Sequence, residues 1–469
     1  MNPFKYNQIP KIVSELDPGF TPPILSIKAY QQAVMHSSNP VSVTISIERT
    51  KGTTATYRTF VFPDSSNEHE ANCYYIERLI KALLWIKGGW KIIFSGPASV
   101  GSYLESIYAK NGLREFDRHF MGRIYEHEFE IELVHPHAIL DSNEVSKPLG
   151  RHLEGYRIGF DAGGSDRKVS AVVDGVSIYS EEVIWNPKLQ SDPNYHYQGI
   201  LESIKNAASK MPRVDAIGVS AAGVYIDNRV MAASLFIKVP QAKFDLHVKD
   251  MFINIAHEMG DIPIEVANDG DVTALAGAMS LNVNQVLGLA MGTSQAAGYV
   301  DIKGNITGWL NELAFVPVDY NLDAMVDEWS LDYGCGVKYF SQDAVIKLAE
   351  RAGFDLNPDL SPAEKLNYVQ DLMKQGNHKA EKIFDTIGIY LGYSIAYYAE
   401  FYDIHHVLVL GRVTSGEGGT RIIHQANHVL KEEFPELHKK IHLTLPDEKS
   451  RRIGQSVAAA SLPDINHQS

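Results

Sequence analysis

Cysteine is scarce: the chain of 469 residues holds two, Cys73 and Cys335. Two thiols cannot build a disulfide framework, and they suit a reducing compartment. Positive charge is short as well. Lysine and arginine number 43 against 57 acidic residues, a formal net charge of −14, which argues against a nucleic-acid partner. No apolar run approaches the length of a membrane-spanning helix, and the opening Met1-Asn-Pro-Phe-Lys-Tyr-Asn lacks the apolar centre of a signal peptide. The expectation is a cytoplasmic protein without a membrane or nucleic-acid partner. With 45% hydrophobic and 21% charged residues, the chain suits two or three globular domains.

Residues 1–40 are rich in proline and polar groups and show no clear period. Residues 41–47 then alternate strictly, and residues 57–62 answer them across a turn containing Gly52, which predicts a hairpin. Ile76, Leu79, Ile80, Leu83 and Leu84 have helical spacing, Gly88-Gly89 stops that helix, and residues 90–94 make a further strand. A second helix is expected over residues 99–110. Residues 125–137 carry a tempting row of Glu126, Glu128, Glu130 and Glu132 among His127, His135 and His137. At a two-residue period the glutamates share one face, so an acidic solvent face on an ordinary strand is expected rather than a metal site. No helix-turn-helix pattern is present in this region.

From Tyr156 onward the motifs carry chemistry. A buried strand holding Ile158 and Phe160 ends in Asp161-Ala162-Gly163-Gly164-Ser165, and a second strand returns over residues 169–173. Amides of such a turn can approach an anion, because Gly163 and Gly164 have no side chain. Ser165 adds a hydroxyl, and Asp161 is placed to hold a metal ion or its water. No Lys-Ser/Thr pair follows, so this is not a Walker-type loop, and a plain hairpin turn uses the same residues. A helix over 198–210, a strand over 214–220 and a helix over 246–258 follow. The strand over 262–267 then opens into Asn268-Asp269-Gly270-Asp271 and a helix over 272–279. A carboxylate at a strand's end beside a helix start is where α/β folds put chemistry, and Asp269 can accept a proton from a hydroxyl. The alternative is a helix cap by Asp269 or Asp271. A strand over 285–291 ends in Gly292-Thr293-Ser294-Gln295-Ala296-Ala297-Gly298 and returns over 299–301, repeating the first design. Last come a strand over 407–410 with its turn Gly411 to Gly416, and a small-residue helix over 454–460 suited to close packing.

In this order the motifs resemble the sugar-kinase/actin/heat-shock-protein ATPase superfamily, and within it the ROK family of sugar kinases and related repressors. The resemblance spans about residues 156–462. It implies an α/β, two-lobed actin-like ATPase (ribonuclease H-like) fold with lobes at 151–280 and 281–469, preceded by an additional N-terminal α/β region at 1–150. A nucleotide would lie in the cleft, with hinge closure on binding. By resemblance the cofactors are ATP and Mg²⁺, and the partner is a small-molecule sugar, with a homodimer as the assembly. Asp161, Gly163, Gly164 and Ser165 would form the first phosphate loop, with Asp161 on the Mg²⁺, and Gly292 and Thr293 the second. Gly411, Arg412 and Gly416 would border the adenosine. Asp269 would be the base, and Asn268, Glu312 and Gly223 would contact the sugar.

The chain departs from the family pattern on the sugar and zinc sides. The family's Gly-Glu-x-Gly-His segment reads Asn311-Glu312-Leu313-Ala314-Phe315, with Phe315 at the His position. Of the Cys-x-Cys-Gly-x-x-Gly-Cys zinc motif only Cys335 remains, and one thiolate makes no tetrahedral site, so no structural zinc is expected. Ala221-Ala222-Gly223 replaces a Pro-Gly-Pro turn, and Arg412 stands where a small glycine is common. Three functions follow: an ATP-dependent kinase of a sugar or sugar derivative, a degenerate sugar- or nucleotide-binding regulator, and an ATPase acting on a protein or acyl group.

Overall fold

The computed structural model describes residues 4–135, 141–144, 148–446 and 448–465. Within the stretch that shows no sequence period lies a helix, α1 (Pro23–Met35). Pro23 suits its first turn, where the missing N–H costs nothing, and Ile24, Tyr30 and Val34 are buried. Strands β1 (Val41–Glu48) and β2 (Thr54–Val61) form the expected antiparallel hairpin. Next comes α2 (His69–Lys87), longer than expected and buried all round, its Glu77, Arg78 and Lys81 included. Strand β3 (Lys91–Ser95), helices α3 (Ala98–Ile107) and α4 (Glu115–Tyr125), and strand β4 (Glu130–Leu133) complete a sheet of order β2-β1-β3-β4.

The strand expected to carry four aligned glutamates is therefore corrected. Asp117, Met121 and Ile124 share one buried helical face, which draws the chain into α4 up to Tyr125. Glu126 is its left-handed C-terminal cap, and of the four only Glu130 and Glu132 lie on β4, both paired with Lys91. His137 lies outside the described residues.

The central part begins with β5 (Tyr156–Ala162), β6 (Asp166–Val173), β7 (Val176–Ile184), α5 (Pro193–Ala208) and β8 (Ala216–Ala221). A small strand pair, β9 (Val224–Ile226) and β10 (Arg229–Ala232), precedes α6 (Gln241–His247) and α7 (Met251–Glu258). One helix was expected over 246–258; the break falls where the carbonyl of Lys249 turns to accept from Val230 N–H at 2.9 Å. Strand β11 (Ile264–Asn268) and helix α8 (Asp269–Leu281) follow. The sheet order is β11-β8-β5-β6-β7, with β5, β8 and β11 parallel.

The last part repeats this plan. It runs through β12 (Val286–Met291), β13 (Gln295–Val300), α9 (Gln342–Arg351), α10 (Pro362–Lys374) and α11 (His378–Tyr398). It closes with β14 (His406–Leu410), α12 (Glu417–Glu433), α13 (Pro435–Lys440), β15 (His442–Thr444) and α14 (Glu448–Ala460). The second sheet has the order β13-β12-β14-β15. Helix α14 crosses back to the first sheet, and here glycine is required: a Cβ on Gly159 would meet Ser456 O at 2.0 Å, and one on Gly218 would meet Ala459 O at 1.6 Å.

The N-terminal region shares one hydrophobic core with the last part, in which Ile76 and Trp85 of α2 join Val316 and Tyr390. The first sheet and α5 to α7 have a core of their own. Among the described residues no helix is long and apolar enough to cross a membrane.

Candidate functional site

Three parallel strands end level. Asp161 of β5 lies opposite Ser220 of β8, which lies opposite Ala267 of β11, and the next row is Ala162, Ala221 and Asn268. Asp161 and Asp269 thus stand at the carboxyl ends of strands one apart, with backbones roughly 10 Å from each other by the spacing of neighbouring strands. Such an edge is where open α/β sheets bind ligands.

Asp161 accepts from Ser220 Oγ at 2.8 Å. Burial pushes its carboxyl up to about 6; the serine hydroxyl opposes this and the nearby charge of Asp269 adds to it. Gln455 of α14 also reaches the pair, its Nε2 lying 3.3 Å from Ser220 Oγ. The following turn is closed by Gly163, where a Cβ would meet Asp166 O at 2.7 Å, and Trp185 Nε1 donates to Gly163 O at 2.8 Å. Ser165 Oγ donates to Asp166 Oδ1 at 3.2 Å. Above Gly164 sits Lys188, with Nζ 3.4 Å from where a Cβ of that glycine would be.

The capping alternative for Asp269 is resolved by its neighbour. Asn268 is the N-cap of α8, its Oδ1 accepting from Gly270 N–H at 2.7 Å while its Nδ2 donates to Gly223 O at 2.7 Å. Gly223, at φ 135°, is where the β8 turn folds against Ala232 and comes to Asn268. Asp269 Oδ1 also lies 3.0 Å from the same Gly270 N–H. Burial raises the Asp269 carboxyl above its ordinary value, tempered by the Gly270 amide and by the positive charge of Lys188.

Asp271 points the other way. It is buried, accepts from Asn311 Nδ2 at 2.8 Å, and is pushed up to about 7 by burial. Glu312 is likewise raised to about 7, by burial first and then by the charges of Asp269 and Asp271, which brings it to the same cluster. The end of α2 lies along this segment: Asn311 and Glu312 N–H donate to Ile86 O and Trp85 O at 3.0 and 2.9 Å. Trp85 stacks on Phe315 with ring centroids 4.2 Å apart.

The second loop meets the third. Strands β12 and β14 are parallel neighbours, and a Cβ on Gly411 (φ 105°) would meet Met291 O at 2.3 Å, so the Gly411 turn lies against the start of the Gly292-Thr293 loop. Thr293, Arg412 and Gly416 are exposed beside it, and Arg412 O is held by Gln370 Nε2 at 2.8 Å. Cys335 is buried with its thiol pushed up to about 12, and among the described residues no cluster of three His, Cys, Asp or Glu could hold a metal ion.

Sequence reasoning missed Lys188, Ser220 and Gln455. Ser220 had a signal, since it ends an apolar strand one place before a small-residue turn. Asn186-Pro187-Lys188 looks like any polar turn, and only the fold-back of β7 brings Lys188 over the glycines.

A family model described as the ROK family matches residues 157–459. No curated protein matches the chain. A solved ROK family transcriptional regulator, a homologue of the E. coli MLC protein, is 16% identical with a TM-score of 0.53, covering 66% of this chain and 79% of its own. A putative sugar kinase from Cytophaga hutchinsonii is 16% identical with a TM-score of 0.50, covering 64% of this chain and 98% of its own. A ROK family glucokinase from Streptomyces griseus, solved with glucose and AMPPNP, is 20% identical with a TM-score of 0.47 over 64% of this chain and 98% of its own.

Proposed function

From the premise that the chain belongs to the ROK family, with its α/β actin-like fold, we propose that it transfers a phosphoryl group from ATP to a hydroxyl of a sugar or sugar derivative. The observation that carries this reading is the Asp269 carboxylate: it stands at the end of β11, is relieved of capping by Asn268, and has a raised pKa. A carboxylate of that kind accepts a proton better than an exposed one at neutral pH. In this reading the two parts 151–280 and 281–469 are the lobes, and the turns at Gly163-Gly164-Ser165 and Gly292-Thr293 cradle phosphates. Gly411, Arg412 and Gly416 border the base and ribose, while Asn268, Gly223 and Glu312 orient the acceptor.

The residues fit a Mg²⁺-nucleotide. Asp161 is a carboxylate with a charge that burial disfavours and one oxygen engaged by Ser220, so a cation beside it would relieve that cost. The bound nucleotide would supply the phosphoryl group, and its metal ion would spread the charge that builds during transfer. Asp161 would hold that ion, Asp269 would take the acceptor's proton, and Lys188 would neutralise phosphate charge between them.

Two outcomes check these roles. Lys188→Ala should lower kcat by about 10²-fold, the order seen when one stabilising donor is removed from a developing charge, with little change in the acceptor's KM. An unchanged kcat would leave Lys188 as a surface residue. Asp161 should impose a pH dependence on Mg²⁺-dependent nucleotide affinity. Its folded pKa of about 6 means that it is increasingly protonated below that value, so affinity should be flat at neutral pH and fall in acid. Calorimetric titrations with Mg-ATP from pH 5 to 8 should show this step, and Asp161→Asn should abolish it. Affinity that is level in the wild type would remove Asp161 as the metal's ligand.

The function as a whole is tested by coupled ADP release from Mg-ATP across hexoses, amino sugars and N-acylated sugars. A second reading, a sugar-binding regulator without turnover, is favoured by the Trp85 and Phe315 stack in place of the family's histidine. Sugar-dependent ADP release supports the kinase; ligand binding with silence across the panel supports the regulator.

A further inference from the structure

Lys188 is exposed, with its Nζ over Gly164, and its charge reaches Asp269. A lysine stem is long and flexible, so where the backbone starts it decides where its charge can stand. Here the backbone is a short helical turn, Pro187–Leu189, between β7 and α5. So short a piece has no hydrogen-bond ladder of its own to fix it. It is fastened from outside instead. On the sheet side Trp185 N–H donates to Ser165 O at 3.1 Å and Trp185 Nε1 donates to Gly163 O at 2.8 Å, which ties the segment to the first glycine turn. On the helix side Asn186 N–H donates to Tyr195 Oη at 3.2 Å.

The next residue of α5, His196, reaches the turn itself. It is fully buried, and its Nε2 lies 3.0 Å from Pro187 O and 3.1 Å from Leu235 O. Both partners are carbonyls, which only accept, so Nε2 carries the hydrogen and shares it between them. Nδ1 is buried and has no hydrogen-bond partner among the described residues. The ring otherwise sits among aromatics, with its centroid 4.8 Å from that of Phe236 and 6.2 Å from that of Trp185. Burying a polar ring there costs free energy that an apolar side chain of similar size would not. What the imidazole adds is one N–H that joins the Pro187 turn to Leu235.

We infer that His196 is a positioning residue whose Nε2–H clamps the Pro187 turn against Leu235 and so holds Lys188 over Gly164, facing the phosphates in the cleft. It touches neither nucleotide nor acceptor, and acts through the residue next to the carbonyl it holds. This rests on the reading above for taking the glycine turns as phosphate loops and Lys188 as the neutralising charge.

The test is a double-mutant cycle of His196→Asn with Lys188→Ala. The asparagine amide falls short of the two carbonyls, whereas His196→Gln places a side-chain N–H near the position of Nε2. Two readouts are taken: kcat for sugar-dependent ADP release, and equilibrium affinity for AMPPNP with Mg²⁺, which needs no turnover. His196→Asn should lose roughly tenfold in kcat and roughly threefold in affinity, and His196→Gln should stay near the wild type. Added to Lys188→Ala, His196→Asn should cost nothing further. A residue that merely supports the fold would lower both backgrounds by the same factor. That outcome, or a glutamine variant as impaired as the asparagine one, would overturn the inference. If His196→Asn does not fold, His196→Leu, which fills the space without a donor, takes its place in the cycle. Imidazole nitrogen NMR of the wild type depends on no variant and should find the hydrogen on Nε2; the opposite tautomer would overturn the inference as well. The kinase reading is judged separately. Coupling in AMPPNP affinity without sugar turnover keeps the inference and sinks the kinase, and turnover with equal losses in both backgrounds does the reverse. Neither AMPPNP binding nor turnover would overturn both.

Discussion

Asp269→Asn is expected to lower sugar-dependent ADP release by about 10²–10⁴-fold, the range for removing a positioned general base, with nucleotide and sugar affinities nearly unchanged. The substitution keeps the shape of the side chain, and its amide oxygen can still lie beside Gly270 N–H, where Asp269 Oδ1 is 3.0 Å away. Asn268 continues to cap α8, so the helix start does not depend on residue 269. The change is thus confined to the proton acceptor. It should appear in kcat rather than in KM, as for a group that acts only in the transition state. Steady-state kinetics on both proteins, with Mg-ATP and sugar binding measured alongside, decide it. Undiminished kcat would remove Asp269 as the base. Glu312 would be the next candidate, a carboxyl raised to about 7 in the same cluster.

Much of this site was legible because each motif sits where a strand ends. The alternation and apolar runs located β5, β8, β11, β12 and β14, and a small-residue turn or a carboxylate follows each of the first four directly. Sequence could not show which strand ends stand side by side. That comes from the parallel register, which sets Asp161 opposite Ser220 and puts Asn268 level with Ala221. Residues without a period of their own were lost in the same way. Lys188 lies in a polar turn, and its neighbours are far away in the chain. The α1 helix was hidden because its buried residues, Ile24, Tyr30 and Val34, are sparse and follow a proline pair. The glutamate row misled for a different reason. Glu126, where the row starts, is taken as the left-handed cap of α4, and strand backbone begins only at Glu130.

The N-terminal region's attachment gives the second large effect: Asp332→Ala should destabilise the protein by about 3–5 kcal/mol, the cost of breaking a buried ion pair by removing one partner. Asp332 lies in the segment where the family pattern carries its zinc cysteines. Here it accepts Arg78 at 3.1 Å, Lys81 at 3.3 Å and Arg114 at 2.7 Å, all three from the N-terminal region and all buried. Glu77 and Asp117 complete the group, the latter also accepting from Trp85 Nε1 at 2.6 Å. Three cations thus face three carboxylates, and deleting Asp332 leaves a positive charge without compensation. The charge network joins α2 to this loop. The pH dependence follows from the sign of the shift. The cations, Arg78 and Lys81 foremost, hold the Asp332 carboxyl below its ordinary value against burial. Its contribution is therefore complete at neutral pH and lost only as the pH falls beneath the usual carboxylate range. Denaturant unfolding of wild type and variant should differ by the full amount at pH 7 and converge in strong acid. Cys335→Ser should change little by comparison, because the thiol's hydrogen bonds among the described residues, with Asp332 O and Ser330 Oγ, are each at 3.7 Å. A cost under about 1 kcal/mol for Asp332→Ala, the level of an exposed pair, would mean that the shared apolar core holds the region in place and that the charges merely satisfy one another.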